Sequence, residues 1–97
     1  MTPRAIRRTP QETVGARVRA LREELGMRQV DLAKRAKVTT TYIPRLEAGK
    51  VDPGLSRLAR IAYALTVNLA TLVIDVLPRD LRGLRERGRP SDDAAEP

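Results

Sequence analysis

The segment Gln29-Val-Asp-Leu-Ala-Lys-Arg-Ala-Lys-Val-Thr39-Thr-Thr-Tyr-Ile-Pro-Arg-Leu-Glu-Ala-Gly49 decides the fold of this chain. Its apolar residues recur at helical spacing on both sides of a short turn, which predicts two short helices. The first runs from Gln29 to Ala36 or Lys37. The second opens at Thr39–Thr41 and ends at Gly49. Its outward face carries small polar and basic side chains, and a helix presented in this way fits the major groove of B-DNA.

Pro44 restricts where the second of these helices begins. A proline in a helix interior costs roughly 3 kcal/mol, whereas in the first turn its missing N–H has no helical partner to lose. We therefore expect this helix to start late, with Thr40 or Thr41 as its cap.

Helices are also predicted on both sides of this segment. Thr9-Pro10-Gln11-Glu12 is a capping box that starts a helix with an apolar stripe of Val14, Val18, Leu21 and Leu25, and Gly26 ends it. Arg28 is a poor cap for the next helix, and Asp31 partly compensates through the helix dipole. After the loop 50–54, helices are expected at Leu55–Leu65, with Leu55 inward, and at Leu69–Leu77, capped by Asn68 and stopped by Pro78.

The expected fold is all-α: a compact five-helix domain over residues 9–78. The β-branched stretch 72–77 has strand propensity, but a lone strand is implausible in a helical chain. A flexible basic arm, 1–8, precedes the domain and carries Arg4, Arg7 and Arg8. A mixed-charge tail, 79–97, follows it and is expected to be disordered, because it has few apolar residues.

Composition points to a polyanionic partner and away from catalysis. The 97 residues carry a net charge of +7, and 16 of the 19 basic residues are arginine, which favours phosphate and guanine contacts. Without Cys or His, thiolate zinc sites and His-based acid–base chemistry are excluded. We expect no enzyme, no cofactor and no metal site. No apolar run is long enough for a membrane span, so the expected location is the cytoplasm, in association with the nucleoid.

A set of short motifs occurs in a fixed order between residues 14 and 77. They are Leu25-Gly26-Met27-x-Gln29, Leu32-Ala33, Val38-Thr39, Ile43-Pro-Arg-Leu-Glu47-x-Gly49, Pro53-Gly-Leu55 and Ile61-Ala-Tyr-Ala-Leu65. In this order they resemble the phage-repressor and Cro-like helix-turn-helix regulators, which have the lambda-repressor-like fold. Thr41-Tyr42-Ile43 is similar to the controller proteins of restriction–modification systems. The chain departs from the family pattern at Arg28, Lys37, Pro44, Gly54 and Thr66.

The resemblance implies a DNA-contacting set. Thr40, Thr41 and Arg45 lie on the face that reads base edges in the family, and Thr39 beside them is also assigned to DNA binding. The alternative for the threonines is that they only cap the helix. Tyr42 lies beside that face and is either a phosphate donor or a half-buried core residue. Gln29 matches a position that meets a phosphate at a helix N-terminus. Arg28, Arg17 and Lys50 are further phosphate candidates, or simply solvated cations.

Two other roles follow from the resemblance. Arg22 and Glu47 match a largely buried salt bridge that fixes the angle of the second helix. Related proteins bind as two-fold dimers on palindromic half-sites. The residues available here for a dimer interface, or alternatively for closing the core, are Leu69, Leu72, Val73, Val76 and Leu77.

The sequence therefore predicts a homodimeric, sequence-specific DNA-binding transcriptional regulator, a repressor or autoregulator, whose partner is double-stranded DNA. One alternative is an antitoxin or adaptor that binds a partner protein, such as a toxin, through the tail. Another is non-specific nucleoid or RNA binding, which the scarcity of aromatic residues disfavours.

Overall fold

Five helices make up the part of the chain that the computed structural model describes, residues 8–76. They are α1 (Pro10–Glu24), α2 (Gln29–Ala36), α3 (Tyr42–Glu47), α4 (Gly54–Ala64) and α5 (Leu69–Val73). No strand occurs between residues 8 and 76. The all-α, five-helix prediction is confirmed. Residues 1–7 and 77–97, which include the arm's Arg4 and Arg7, Leu77, Pro78 and the tail, lie outside the described residues.

Both ends of α1 follow the local sequence signals. The Thr9 N–H donates to Glu12 Oε1 at 2.8 Å, and the Glu12 N–H donates to Thr9 Oγ1 at 3.1 Å, which completes the capping box. At the other end Gly26 has a φ of 70°, and the Met27 N–H donates to the Arg22 carbonyl at 3.0 Å. The chain therefore leaves α1 in a defined direction toward α2.

The start of α2 is stabilised by Asp31. Arg28 supplies no side-chain cap, as expected. Asp31 Oδ2 instead accepts the Arg28 backbone N–H at 2.9 Å, and the Asp31 carboxylate also accepts two hydrogen bonds from the Arg28 guanidinium. These side-chain bonds, followed by the backbone bond, lower the pKa of Asp31 to about 2. Direct hydrogen bonds thus add to the dipole effect that the sequence indicated.

The turn between α2 and α3 contains a left-handed residue that is not glycine. Lys37 has φ 60° and ψ 47°, a conformation that is uncommon for residues with a side chain. The Val38 N–H donates to the Ala33 carbonyl at 3.0 Å, so the turn closes on the end of α2. Lys37 therefore takes a left-handed conformation at a position where the sequence offers no glycine.

α3 starts late, as the position of Pro44 predicts. The helix begins at Tyr42 with Thr41 as N-cap, and the Thr41 side chain makes no capping bond. Pro44 is the third residue of the helix, within the first turn, as expected. None of the three threonines therefore uses its hydroxyl to cap α3.

One core holds the five helices together. Its fully buried large side chains come from every helix: Leu32, Ile43, Leu46, Ile61, Leu65, Leu72 and Val18. Gly15 lets α1 approach the last turn of α3, because a Cβ there would meet the carbonyl oxygens of Leu46 and Glu47. Gly49 has a φ of 75°, and a Cβ there would lie 2.8 Å from Glu12 Cα. The two glycines set the contact between α1 and the end of α3.

Two expectations about packing and one about a helix boundary were wrong. Leu25 is 48% exposed because it lies just past the end of α1, and Leu55 is 73% exposed in the first turn of α4. The last helix ends at Val73 instead of Leu77, since Ile74 is extended and Asp75 is left-handed with φ 58°. Among the described helices, none has the length and apolar character that crossing a membrane requires.

Candidate nucleic-acid interface

The outward face of α3 is set by the residues that anchor its inward face. Ile43 and Leu46 are fully buried. The side chains that this arrangement leaves exposed at the start of α3 and along it are Thr39, Thr40, Thr41 and Arg45. None of these four side chains makes a hydrogen bond or ion pair with another described residue. Their donors and acceptors are therefore free to meet base edges.

A buried ion pair connects α3 to α1. Arg22 Nε lies 2.7 Å from Glu47 Oε2, and Arg22 Nη2 lies 3.1 Å from Glu47 Oε1. The side chains of Arg22 and Glu47 are only 11% and 5% exposed. The hydrogen bond with Glu47 raises the pKa of Arg22. Arg22 Nη1 also donates to the Met27 carbonyl at 2.8 Å, so one guanidinium joins α1, the α1–α2 turn and α3.

Gln29, the first residue of α2, belongs to the same network. Its Nε2 donates to Glu47 Oε1 at 3.0 Å, and the side chain is half-buried. The amide group is thus held by α3, which the sequence did not indicate. The second N–H of this amide and the first backbone N–H groups of α2 remain available to an anion.

Tyr42 is half-buried, which was one of its two expected states. The guanidinium carbon of Arg57, on α4, lies 4.7 Å from the centroid of the Tyr42 ring, a cation–π distance. The Tyr42 hydroxyl is buried and has no hydrogen-bond partner among the described residues.

The three basic phosphate candidates have different surroundings. Lys50 is exposed directly after α3 and has no acidic partner within the described part of the chain. Arg28 is exposed but shares its charge with Asp31 at 3.0 Å. Arg17 differs from the expectation of a free cation: its Nη1 donates to the carbonyls of Leu72 at 3.2 Å and Ile74 at 2.6 Å. Arg17 therefore closes the C-terminal end of α5, and we remove it from the candidate phosphate contacts.

The residues expected at a dimer interface differ in how deeply they are buried. Leu72 is fully buried in the core, so its assignment to an interface is corrected. Leu69 and Val76 are half-buried against the core, whereas Val73 is 40% exposed. Ile74, which the sequence analysis did not select, is 59% exposed. Val73 and Ile74 form the apolar surface that this end of the domain presents to solvent.

Sequence reasoning missed other residues that shape the site. Gly15 has a helical context and no local signal of its close approach to α3. Arg57 and Arg60 lie on α4, and only the folded chain brings them beside Tyr42 and Ala36. The spacing of the arginines along α4 was a visible signal, since residues three apart lie on one helix face.

Comparison with known proteins gives consistent matches. A family model described as helix-turn-helix matches residues 18–72. An immunity repressor protein of Bacillus phage phi105 is 36% identical over 61 residues, which cover 63% of this chain and 42% of the relative. The chain spans only 41–42% of the length of the curated relatives that it matches.

Two solved structures share both the fold and part of the sequence. The restriction–modification controller protein C.AhdI of Aeromonas hydrophila has a TM-score of 0.63 and 27% identity, over 64% of this chain and 94% of the controller. The P22 c2 repressor in complex with a synthetic operator has a TM-score of 0.60 and 30% identity, over 63% of this chain and 92% of the repressor.

Proposed function

This chain belongs to the helix-turn-helix family, and from that premise we propose that it is a sequence-specific DNA-binding transcriptional regulator. In this proposal it occupies a promoter as a homodimer on a palindromic operator and acts as a repressor or autoregulator. The role is one of binding rather than catalysis, in keeping with the regulators among its relatives. Its place of action is the chromosome, in the cytoplasm.

One observation carries the proposal. Three threonines just before α3 and Arg45 on it are exposed and have no side-chain partner among residues 8–76. The other side of the helix is anchored by Ile43 and Leu46 and by the buried pair of Glu47 with Arg22. A short helix that is held firmly by the core and has an exposed polar face is the arrangement that enters a major groove. The P22 c2 repressor, whose fold this chain shares, was solved on a synthetic operator, which supports the same mode of docking.

We assign base readout to the exposed face of α3. The Arg45 guanidinium has the fork geometry to donate to O6 and N7 of one guanine. The methyl groups of Thr39, Thr40 and Thr41 can contact thymine methyls, and their hydroxyls can serve as donors or acceptors.

Phosphate contacts are assigned to the residues around α3. Gln29, at the start of α2, offers backbone N–H groups and one side-chain N–H to a phosphate. Lys50 adds a charge after the end of α3, and Arg28 adds a weaker contribution because Asp31 shares its charge.

A second subunit is part of the proposal, because one short helix reads too few base pairs for useful discrimination. Val73 and Ile74 at the end of α5 are the exposed apolar residues that we assign to the contact, with Leu69 and Val76 at its edge. Burying such side chains gains roughly 25 cal/mol per Å² of apolar surface, so a self-complementary patch favours a two-fold dimer.

Selection of bound sequences from a random duplex pool tests the proposed function. The expected product is a two-fold symmetric consensus whose half-sites lie about one helical turn apart. On that duplex the logarithm of affinity should fall linearly with the logarithm of salt concentration, with a slope of about −0.9 per neutralised phosphate. Recovery of unenriched random sequence would contradict the proposal and favour non-specific binding.

The antitoxin or adaptor alternative rests on residues 79–97, outside the described residues, and no contact within 8–76 favours it. Purification of the full chain with an equimolar second protein, together with failure of the duplex selection, would support that alternative instead.

A further inference from the structure

We propose that a basic pocket beside the start of α3 binds one backbone phosphate of the duplex, apart from the face that reads bases. The pocket has a volume of about 450 Å³ and lies between the α2–α3 turn, the first residue of α3 and α4. Its lining residues are Lys37, Val38, Thr39, Tyr42, Arg57 and Arg60. The inference rests on the proposed function. It develops the phosphate-donor role considered for Tyr42 and adds Lys37, Arg57 and Arg60, for which the sequence predicted no role.

The charge of this phosphate pocket suits an anion. Three of its lining side chains are cationic, and none is acidic. Within residues 8–76, none of Lys37, Arg57 and Arg60 has a carboxylate within ion-pair distance. Three positive charges around one cavity repel each other, and a bound phosphate relieves that repulsion.

Two of the cations are held in position by their neighbours. Arg60 Nε donates to the Ala36 carbonyl at 3.1 Å, which fixes the guanidinium at the end of α2. Neither Nη group has a partner among residues 8–76. The Arg57 guanidinium lies over the Tyr42 ring, with its carbon 4.7 Å from the centroid. A guanidinium over a ring contacts it through its flat face, so the N–H donors at its edge stay free. Arginine binds phosphate through these donors, which form a planar fork.

The Tyr42 hydroxyl is the second, independent indication of a ligand. It is buried without a partner among the described residues, a state that is unfavourable for a polar group. Buried hydroxyls nearly always have a hydrogen-bond partner. Arg57, the side chain stacked on this ring, is exposed and can shift to admit an oxygen. A phosphate oxygen in the pocket accepts the Tyr42 O–H.

The position of the pocket favours a duplex phosphate over a free anion. Thr39 and Tyr42 line the pocket, and in the chain they lie on either side of the exposed Thr40 and Thr41, where the base-reading face begins. A helix of about 10–12 Å diameter fills a major groove about 12 Å wide, so the phosphate walls lie along its sides. With α3 in the groove, a backbone phosphate comes next to this pocket.

The test compares Arg57→Gln and Tyr42→Phe with the unaltered protein on the selected operator. In Arg57→Gln, the slope of log affinity against log salt concentration should become shallower by about 0.9, and the preferred DNA sequence should stay unchanged. Tyr42→Phe should weaken operator binding about tenfold, the loss of one hydrogen bond to a charged group. The thermal midpoint of the free Tyr42→Phe protein should stay the same or rise, since an unpartnered hydroxyl is removed. Arg35→Gln is the matched control, because Arg35 is exposed and lines a separate cavity with Tyr63 and Thr66.

Ethylation interference on the operator gives a direct readout of the contact. Ethylation of one phosphate in each half-site should prevent the unaltered protein from binding. The same ethylation should not weaken binding by the Arg57→Gln protein further. If the unaltered protein binds the operator but both variants keep its affinity, slope and interference pattern, the pocket does not hold a duplex phosphate. If inorganic phosphate alone shifts the Tyr42 NMR signals while duplex binding of both variants is unchanged, the site belongs to a free anion and the assignment is wrong. Failure of the unaltered protein to select any sequence refutes the proposed function itself, which is a different result.

Discussion

Arg45 carries the most specific chemistry on the exposed face of α3. Its guanidinium is exposed and has no partner among the described residues, so nothing within the domain competes for its donors. A threonine contact is individually weaker, because one hydroxyl cannot make the paired hydrogen bonds that identify guanine. The sequence preference of the protein should therefore depend most on this one residue.

Arg45→Ala should cost about 1–3 kcal/mol of operator binding and relax base preference at one position in each half-site. Titration of the variant against operators with single base changes measures both effects. Lys50→Ala is the control, since it removes an exposed charge just after α3 and should weaken operator and random duplex alike. An Arg45→Ala protein that keeps the full base preference would show that another residue reads that position.

The buried pair of Arg22 and Glu47 should matter for stability more than for contact with DNA. Arg22→Met leaves the Glu47 carboxylate buried without a counter-charge and with only the hydrogen bond from the Gln29 amide, and we expect a loss of about 3–5 kcal/mol of unfolding free energy. Urea denaturation measures the loss. The double variant Arg22→Met, Glu47→Leu should recover most of it, because no buried charge remains.

A matched control for that experiment lies on the surface of α1. Arg19 and Glu23 form an exposed pair at 3.0 Å, with side chains 64% and 54% exposed. Arg19→Met should cost less than about 1 kcal/mol, because water screens this pair. Equal losses for Arg22→Met and Arg19→Met would contradict a special role for burial.

At the scale of the element, the start of α2 depends on a carboxylate rather than on a conventional cap. Asp31 has a pKa of about 2 against an ordinary value of 3.8, chiefly through its hydrogen bonds with the Arg28 side chain. A lowered pKa in the folded state means that the carboxylate stabilises the fold above pH 3.8 and that this contribution disappears as the pH falls to about 2.

Asp31→Asn should therefore destabilise the domain at neutral pH and match the unaltered protein near pH 2. Thermal midpoints of both proteins across this range measure the difference. Glu24→Gln removes an exposed carboxylate that has no ion pair within residues 8–76, so it should not reproduce this pH dependence. A stability difference that stays constant down to pH 2 would show that the Asp31 interactions do not depend on its charge.

The sequence predicted those helix boundaries that depend on neighbouring residues. The capping box at Thr9, the left-handed Gly26 and the first-turn position of Pro44 act within one turn of the chain, so they are visible before folding. The end of α5 was not predictable in this way. It depends on the left-handed Asp75 and on Arg17, which donates to the Leu72 carbonyl from 55 residues earlier.

The same distinction applies to the site. The exposed face of α3 follows from the spacing of Ile43 and Leu46, which a sequence displays. The bond from Gln29 to Glu47 and the stacking of Arg57 on Tyr42 join separate helices, and neither has a local signal. Burial of Leu72 likewise results from the packing of α5 on the other helices, so its apolar character alone could not distinguish core from interface.

At the scale of the whole molecule, the exposed end of α5 should determine the oligomeric state. Ile74→Glu places a charge on a side chain that is 59% exposed, so the fold should persist while association fails. We expect sedimentation to report a monomer and operator affinity to fall at least tenfold, because two linked half-sites are replaced by independent ones.

Leu25→Glu is the control for the dimer test, since Leu25 is an apolar residue of similar exposure, 48%, at the end of α1. It should leave both sedimentation and affinity unchanged. A dimeric Ile74→Glu protein would place the subunit contact elsewhere, whereas a monomeric unaltered protein would contradict the proposed homodimer.

The absence of a side chain at Gly15 has a consequence for how such a protein can diversify. Main-chain atoms of α1 and α3 touch there, so the position of α3 does not depend on which side chains it exposes to solvent. Substitutions at Thr40, Thr41 or Arg45 can then alter which operator is chosen without retuning the scaffold. Between paralogues that have a glycine at this position, exchange of the exposed residues of α3 should also exchange the DNA sequences that they bind. A bulkier residue at this position would tilt the helix, and the exchange would then fail.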